Sequence, residues 1–132
     1  MESLKLEPTE YSPTVDFNTS TGRFVISGES RPENCGKFYA PIVTWLAKFE
    51  QEASEKKINL SSPFTFIFKF DYFNSTSAKF IMNLLQLIKK IEASKNYPVK
   101  IEWHYDEMDE DMMDAGKEFC EAAELNFEFI SY

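Results

Sequence analysis

The fold is decided by the stretch PFTFIFKFDYFNSTSAK at positions 63–79. Its first ten residues alternate, which predicts a strand from 63 to 72 with an inward face made of Phe64, Phe66, Phe68, Phe70 and Tyr72. Helical periodicity begins at about Thr76 and continues to Ser94, so a helix follows the strand almost directly. A strand that leads straight into a helix is typical of α/β proteins.

The segments on either side of this unit show the same two periodicities. They predict, in chain order, a short edge strand (4–6), a hairpin (13–18 and 23–27), a loop (28–36), a helix ending near Lys56 or Lys57, and, after the central unit, a strand (99–105), a helix (109–123) and a strand (127–132). Pro41 is expected in the first turn of its helix, where proline is tolerated.

This order predicts an α/β fold for one domain spanning residues 1–132. Helices that alternate with strands imply parallel neighbours joined by right-handed crossovers. The strands alternate in polarity, whereas a sheet buried on both faces would have continuously apolar strands. We therefore expect a two-layer sandwich, with one mixed, mostly parallel sheet, an N-terminal β-hairpin, and three helices mainly on one face.

Three consecutive hydroxyl side chains, Ser75, Thr76 and Ser77, stand at the junction between the central strand and its helix. One interpretation is that they only cap the helix. The other is that one of them carries a phosphate, because free N–H groups and the helix dipole favour negative charge at a helix start. Lys79 follows one turn later and could approach such a phosphate. The local residues leave both interpretations open.

Six of the nine residues from Asp106 to Asp114 are acidic. The simplest interpretation is a solvated helix start, where carboxylates complement the dipole. A docking surface for a basic partner is a second possibility, and a metal-dependent hydrolase is a third, because hard cations prefer carboxylates. The cluster lacks the spacing and the turn glycine of a calcium loop, so we expect no metal.

Composition narrows the function classes. The net charge of −8 disfavours nucleic acid and anionic membranes as partners, and no apolar run is long enough to span a bilayer. Cys35 and Cys120 match no metal or redox spacing and are expected to be reduced, in a cytosolic protein. His104 is the only histidine and has no evident nucleophile beside it. Phosphate loops and nucleophile elbows are also missing, which disfavours an enzyme and gives no reason to expect a cofactor.

Three segments of the chain also occur together, in this order, in a known family. They are GESRPEN at 28–34 with FY at 38–39 and WL at 45–46, then YFNSTSAK at 72–79, and then WHYD at 103–106 with DEDM at 109–112 and AGK at 115–117. This ordered set resembles the SiaC-like family of bacterial regulatory phosphoproteins, and the resemblance covers most of the chain.

The resemblance implies a fold related to the anti-sigma-factor antagonists (STAS-like) and a protein that is not an enzyme. It implies a Ser/Thr protein kinase and a PP2C-type phosphatase as partners, and a diguanylate cyclase as the target that the unphosphorylated form activates. The family's phosphoacceptor directly follows an asparagine and is often threonine. That position is Ser75 here, with Thr76 as the alternative, and Asn74, Ser77 and Lys79 form the expected phosphate environment.

We therefore expect a partner-switching phosphoprotein in which phosphorylation releases the target. The expected partner-binding residues are Arg31, Pro32, Glu33, Asn34, Asp109, Glu110 and Asp111. A constitutive adaptor that is never phosphorylated is the alternative from the class of binding proteins, and the metal-dependent hydrolase is the alternative from the class of enzymes.

Overall fold

The computed structural model of the chain describes residues 1–132 and contains six strands and three helices in the predicted order. The elements are β1 (Leu4–Leu6), β2 (Thr14–Asn18), β3 (Arg23–Ser30), α1 (Cys35–Ser54), β4 (Phe64–Phe73), α2 (Ser75–Ser94), β5 (Val99–Tyr105), α3 (Glu110–Ala123) and β6 (Glu128–Ser131).

All six strands form one sheet in sequence order, from β1 at one edge to β6 at the other. The β1–β2 and β2–β3 pairs are antiparallel, which confirms the N-terminal hairpin. The β3–β4, β4–β5 and β5–β6 pairs are parallel, and each is connected through one helix. The prediction of a mixed, mostly parallel sheet is therefore confirmed.

One face of the sheet carries the core, and all three helices contribute to it. The buried strand side chains on this face are Val15, Phe17, Phe24, Ile26, Phe64, Phe66, Phe68, Phe70, Ile101 and Trp103, and they form one cluster with buried residues of the helices. Ile67 is also buried but lies outside this cluster, on the opposite face. The expected two-layer arrangement is thus present.

The prediction for the end of the central strand was wrong by one residue. Phe70 pairs with Gly28, but Tyr72 pairs with Glu29, so Asp71 is an extra residue that forms a β-bulge in β4. A bulge reverses the alternation of the residues that follow it. As a result Tyr72, predicted to point inward, is 48% exposed, while Phe73 packs against the core.

The loop predicted at 28–36 is shorter than expected. β3 continues to Ser30, because its last residues pair with the strand beyond the bulge, and α1 already begins at Cys35. Pro41 therefore lies in the second turn of α1, not in the first. The helix ends at Ser54, and Lys56 adopts a left-handed conformation that stops it before the predicted end.

The start of α3 is positioned by Trp103 of β5. The ring of Trp103 is fully buried, and its Nε1–H donates to the carbonyl of Met112 at 3.0 Å. A Cβ atom added to Gly116 would lie 2.5 Å from Trp103 Cδ1. The missing side chain at Gly116 therefore lets α3 approach the indole closely, which sets the position of the acidic residues that precede it.

Candidate functional site

Asn74 fixes the geometry of the junction between β4 and α2. Its side-chain Oδ1 accepts the N–H of Ser77 at 2.8 Å, and its own N–H donates to the carbonyl of Ser30 at 3.0 Å. The first hydrogen bond caps α2, and the second holds the junction against the end of β3. Ser75 is therefore the first residue of the helix, and Thr76 is the second.

The three hydroxyl groups of the junction have different environments. Ser77 is fully buried, its Oγ donates to the carbonyl of Ser30 at 3.0 Å, and it accepts from Ser30 Oγ at 2.9 Å. Ser75 and Thr76 are both exposed. Since their N–H groups fall in the first turn of α2, these amides have no carbonyl acceptor within the helix. Only Ser75 and Thr76 present a hydroxyl that a second protein can reach.

Tyr39 of α1 completes the buried part of the junction. Its hydroxyl lies 2.6 Å from Ser30 Oγ, so α1, β3 and α2 meet in one hydrogen-bond network. Burial disfavours the phenolate and raises the pKa of Tyr39 to about 12, although hydrogen bonds from Ser30 and Ser77 oppose the shift. The Tyr39 ring also stacks on Phe80 of α2, with 5.3 Å between centroids.

The start of α1 lies beside the start of α2. Asn34 caps α1 by accepting the N–H of Lys37 at 3.0 Å, in the same way that Asn74 caps α2. The buried Cys35 thiol lies 3.6 Å from Ser77 Oγ and 3.8 Å from Asn74 Oδ1. Two helix N-termini, each with a positive dipole end, are thus held side by side.

An open groove of about 1130 Å³ runs between these two helix starts and the segment that follows β1. Its lining includes exposed residues of both helices and apolar side chains: Leu6, Glu7, Glu33, Asn34, Gly36, Lys37, Phe38, Pro41, Thr76, Lys79 and Phe80. Thr76, the alternative acceptor, and Lys79, which was expected near the phosphate, therefore line the same groove as residues 33–34 of the predicted loop. Ser75 is not among the lining residues.

The four predicted loop residues have separate surroundings. The Arg31 guanidinium donates to Glu29 at 2.9 Å and lies over the Tyr11 ring at 4.5 Å. The hydrogen bond to Glu29 is the main cause of the raised pKa of Arg31. The Pro32 carbonyl lies 3.7 Å from the Sγ atom of Cys35. Glu33 lines the groove. Arg31 already has partners within the chain, whereas Glu33 is free of ion pairs.

The predicted acidic residues lie on the other side of the junction. Asp109 caps α3 by accepting the N–H of Met112 at 3.0 Å, and Glu110 and Asp111 follow in the first turn. A cavity of about 310 Å³ is lined by Asp109, Asp111 and the end of β4 at 71–73. The structure therefore places the predicted loop on one flank of residues 74–77 and the acidic helix start on the other.

The acidic surface continues to the C-terminal residue. Burial is the largest cause of the raised pKa of the Tyr132 phenol, and the nearby carboxylates of Asp71, Asp106 and Asp109 add to the shift. None of these aspartates forms an ion pair. No set of three or more Asp, Glu, His or Cys side chains in the chain has a geometry that could hold a metal ion. The geometry therefore gives the metal-dependent hydrolase no support.

His104 lies on the open face of the sheet, away from the junction. Its Nε2 is 2.8 Å from Glu102 Oε1, and both side chains are less than one fifth exposed. The two residues are two positions apart on β5, so they lie on the same face of the strand. The contact with Glu102 explains the surroundings of the only histidine, so no nucleophile beside it has to be assumed.

Sequence reasoning missed several residues that build the junction. Ser30 and Tyr39 belong to the first family segment, and the spacing along the chain does not indicate that their hydroxyls meet Ser77. No sequence pattern indicates that Lys37 faces the same groove as Thr76. One feature of the sequence does indicate that the starts of α1 and α2 are built alike: an asparagine precedes each of them, Asn34 before α1 and Asn74 before α2.

None of the three helices is long and apolar enough to cross a membrane.

Among known proteins, the chain is 25% identical over 127 residues to the uncharacterized protein PA14_02130 of Pseudomonas aeruginosa strain UCBPP-PA14. The match covers 96% of this chain and 94% of the relative.

Two solved structures share the fold. Apo-SiaC from Pseudomonas aeruginosa matches with a TM-score of 0.80 and 24% identity, over 99% of this chain and 98% of that chain. A chain in the crystal structure of the diguanylate cyclase SiaD in complex with its activator SiaC, from the same species, matches with a TM-score of 0.84 and 24% identity. That match covers 98% of this chain and 99% of the other.

The family comparison agrees with the fold and with the motifs. A model of the "SiaC family regulatory phosphoprotein" matches residues 6–132, nearly the whole chain. The expected resemblance is thereby confirmed, as is the expectation of a regulatory protein that is not itself an enzyme. This match agrees with the six-stranded mixed sheet and with the capped strand-to-helix junction that carries exposed hydroxyls. The chain therefore belongs to the SiaC family of regulatory phosphoproteins.

Proposed function

We propose that this protein is the switching component of a partner-switching module, and that Ser75 is its phosphoacceptor, with Thr76 as the alternative. The observation that carries the proposal is the exposure of Ser75 as the first residue of α2, directly after the capping Asn74. The third hydroxyl, Ser77, is fully buried and hydrogen-bonded, so it is a poor substrate.

The position suits reversible modification. A phosphate at the start of α2 gains from the helix dipole and from the two amides that have no acceptor, so the fold tolerates it. Lys79 is exposed, forms no ion pair, and lies four residues after Ser75 on α2. We propose a Ser/Thr protein kinase and a PP2C-type phosphatase as the enzymes that add and remove the phosphate, in the cytoplasm.

The proposed target is a diguanylate cyclase. The similarity to a SiaC that was crystallised with the cyclase SiaD supports this choice. We propose that the target contacts the junction together with the loop 31–34 on one flank and Asp109, Glu110 and Asp111 on the other. A phosphate on Ser75 would add nearly two negative charges and bulk in the middle of that surface and release the target.

The first experiment locates the phosphate. The purified chain is incubated with ATP and the candidate kinase of its host, and intact mass and fragmentation are recorded before and after phosphatase treatment. We expect one phosphatase-sensitive phosphate on Ser75 in the wild type. Ser75→Ala and Thr76→Ala variants are the matched controls, and labelling that survives only in Thr76→Ala assigns Ser75.

The second experiment tests the switch. Binding of the candidate cyclase is measured for the wild type, the phosphorylated protein, Ser75→Ala and Ser75→Asp. We expect the phosphorylated protein and Ser75→Asp to bind at least about tenfold more weakly, about 1.4 kcal/mol, while Ser75→Ala binds like the wild type. Equal binding by all four proteins would contradict the switch and favour the constitutive adaptor.

A further inference from the structure

β6 is the last strand of the sheet, so one of its sides pairs with β5 and its other side is a free edge. Tyr132 donates its N–H to the carbonyl of Tyr105 at 3.0 Å, and its own carbonyl accepts the N–H of Glu107 at 2.8 Å. The peptide groups of Tyr132 therefore point towards β5. Because this direction alternates from one residue to the next, the N–H and C=O groups of Phe129 and Ser131 point outward at the free edge.

Apolar surface continues from the core to this edge. The Phe127 ring stacks on the buried Trp103, and the Phe129 ring follows at 6.0 Å from the Phe127 centroid. Phe129 is 36% exposed, so the row of aromatic rings ends in one that is partly uncovered. Edge strands are commonly protected by a lysine, a proline or a bulge. β6 contains none of these, and its one charged residue, Glu128, pairs with Lys100 on the open face of the sheet.

The helix α3 forms a second wall beside the free edge. A cavity of about 500 Å³ lies between Phe129 and this helix, and its other lining residues are Asp114, Lys117, Glu118, Cys120 and Glu121. Positions 114, 117, 118 and 121 follow one another at three- and four-residue intervals, so they share one side of α3. Their three carboxylates and one ammonium group are exposed and form no ion pairs within the chain, which leaves this wall acidic.

We propose that the groove between β6 and α3 binds an extended basic segment of another protein, which adds to the sheet as a further strand. Strand addition needs a free edge whose backbone groups supply affinity, and pockets for alternate side chains supply specificity. Phe129 and Ser131 offer the backbone groups. One apolar side chain of the added strand would cover Phe129, and lysines or arginines two positions before and after it would reach the carboxylates of α3.

This inference does not rest on phosphorylation of the junction. None of the residues that line the groove belongs to the surface proposed for the cyclase, and β6 lies at the opposite edge of the sheet from β1. The groove is therefore a second docking surface, which a partner could occupy in either phosphorylation state.

The charge of the chain favours a basic partner over a second copy of the same chain. Two copies paired through their β6 edges would bring the carboxylates of Asp114, Glu118 and Glu121 from both copies to one interface. Each copy also has a net charge of −8, so the electrostatic term opposes this pairing. A lysine- or arginine-bearing strand gains from the same carboxylates.

The test uses the whole chain and a short blocked peptide with the order lysine, threonine, valine, threonine, lysine. Fluorescence anisotropy measures the affinity, and hydrogen exchange followed by NMR measures the protection of single amides. We expect the amides of Phe129 and Ser131 to exchange rapidly in the free protein and to become protected in the complex. A peptide with glutamates in place of the lysines should bind at least about tenfold more weakly, since attraction becomes repulsion at two positions.

Ser131→Pro tests the backbone contact. It removes one outward N–H, and proline is tolerated at an edge strand where the N–H faces solvent. We expect the lysine peptide to bind at least about threefold more weakly to this variant, because one backbone hydrogen bond is lost. Ser131→Ala is the matched control, since it retains the N–H and should bind like the wild type.

The double variant Glu118→Gln, Glu121→Gln tests the charge of α3. It should weaken binding of the lysine peptide by about fivefold, because two exposed carboxylates are neutralised. Glu10→Gln is the control, since Glu10 is exposed and does not line the groove.

Three results would overturn the proposal. The first is an unchanged exchange rate of the Phe129 and Ser131 amides with saturating peptide, which the wild type alone reveals even if Ser131→Pro does not fold. The second is equal affinity for the lysine and glutamate peptides. The third is protection of these two amides in the peptide-free protein that increases with protein concentration, together with a dimer in analytical ultracentrifugation, because a second copy would then occupy the edge.

Discussion

Ser77 Oγ donates a hydrogen bond to the main-chain carbonyl of Ser30 at 3.0 Å, 47 residues away along the chain. Both residues are fully buried. The same carbonyl accepts the N–H of Asn74, so one peptide group of β3 holds both the cap and the third residue of α2. This carbonyl therefore ties the start of α2 to β3, and Ser75 and Thr76 remain as the exposed hydroxyls.

Replacing Ser77 by alanine should destabilise the fold. The Ser30 carbonyl would keep only the Asn74 N–H, and the buried Ser30 hydroxyl would lose its acceptor. A buried group left unpaired costs about 1–3 kcal/mol. Urea denaturation followed by circular dichroism measures the free energy of unfolding. Ser75→Ala is the control and should change it by less than about 0.5 kcal/mol, since its hydroxyl is exposed. Equal effects of the two variants would contradict the assignment of Ser77 as structural.

Asn74→Ala should lower the free energy of unfolding by about 1 kcal/mol, because α2 loses its N-cap. Asn74→Asp retains a side-chain oxygen that can accept the Ser77 N–H, so it should restore most of the lost stability. Chemical denaturation of the three proteins provides the comparison. If Asn74→Asp were as destabilised as Asn74→Ala, the capping hydrogen bond would not explain the role of Asn74.

The ionisation of Tyr39 predicts a dependence of stability on alkaline pH. Its pKa is about 12 in the folded protein, against an ordinary value of 10.0, because burial disfavours the phenolate. The neutral phenol therefore contributes its full stabilisation below pH 10, and this contribution is lost as the pH rises from 10 to 12. A shift of this size corresponds to about 2–3 kcal/mol.

The measurement is the free energy of unfolding between pH 9 and pH 12 for the wild type and Tyr39→Phe. The variant should show a weaker pH dependence, because it has no buried phenol to ionise. Tyr11→Phe is the control, since Tyr11 is 46% exposed, and it should retain the slope of the wild type. Identical slopes in all three proteins would show that Tyr39 is not the group responsible.

Gly116→Ala should destabilise the packing of α3 on β5. The added methyl group would lie 2.5 Å from the Trp103 ring, so either the indole or the helix must move, at a cost of about 1–3 kcal/mol. Trp103 is buried, and its fluorescence should change as its contact with α3 shifts. Lys117→Ala, on the exposed residue next to it, should alter neither the fluorescence nor the stability.

The order of the elements could be predicted from periodicity alone, because each strand alternates and each helix carries an apolar stripe. The faces of β4 were correct as far as Phe70. Tyr72 was assigned to the wrong face, because the bulge at Asp71 depends on the pairing with Gly28 and Glu29 of another strand. Periodicity within one segment contains no information on such a pairing.

The junction was recognisable from the sequence, but its internal differences were not. Ser75, Thr76 and Ser77 are adjacent hydroxyls, and only the contacts with Ser30 and Tyr39 separate the buried residue from the exposed ones. Those contacts join segments that are far apart in the chain. The motif resemblance singled out this region because a family pattern includes such distant relations without explaining them.

The bulge at Asp71 also limits how this junction can be transplanted. A designer who grafted only residues 74–77 onto the end of a regular strand would keep the cap and the hydroxyls. The incoming strand would then present the opposite face at its last two residues, and the helix would leave the sheet with a different rotation. A working graft must carry the extra residue of β4 together with Gly28 and Glu29, which pair with the residues on either side of it, so the smallest transferable unit comprises parts of two strands and a helix.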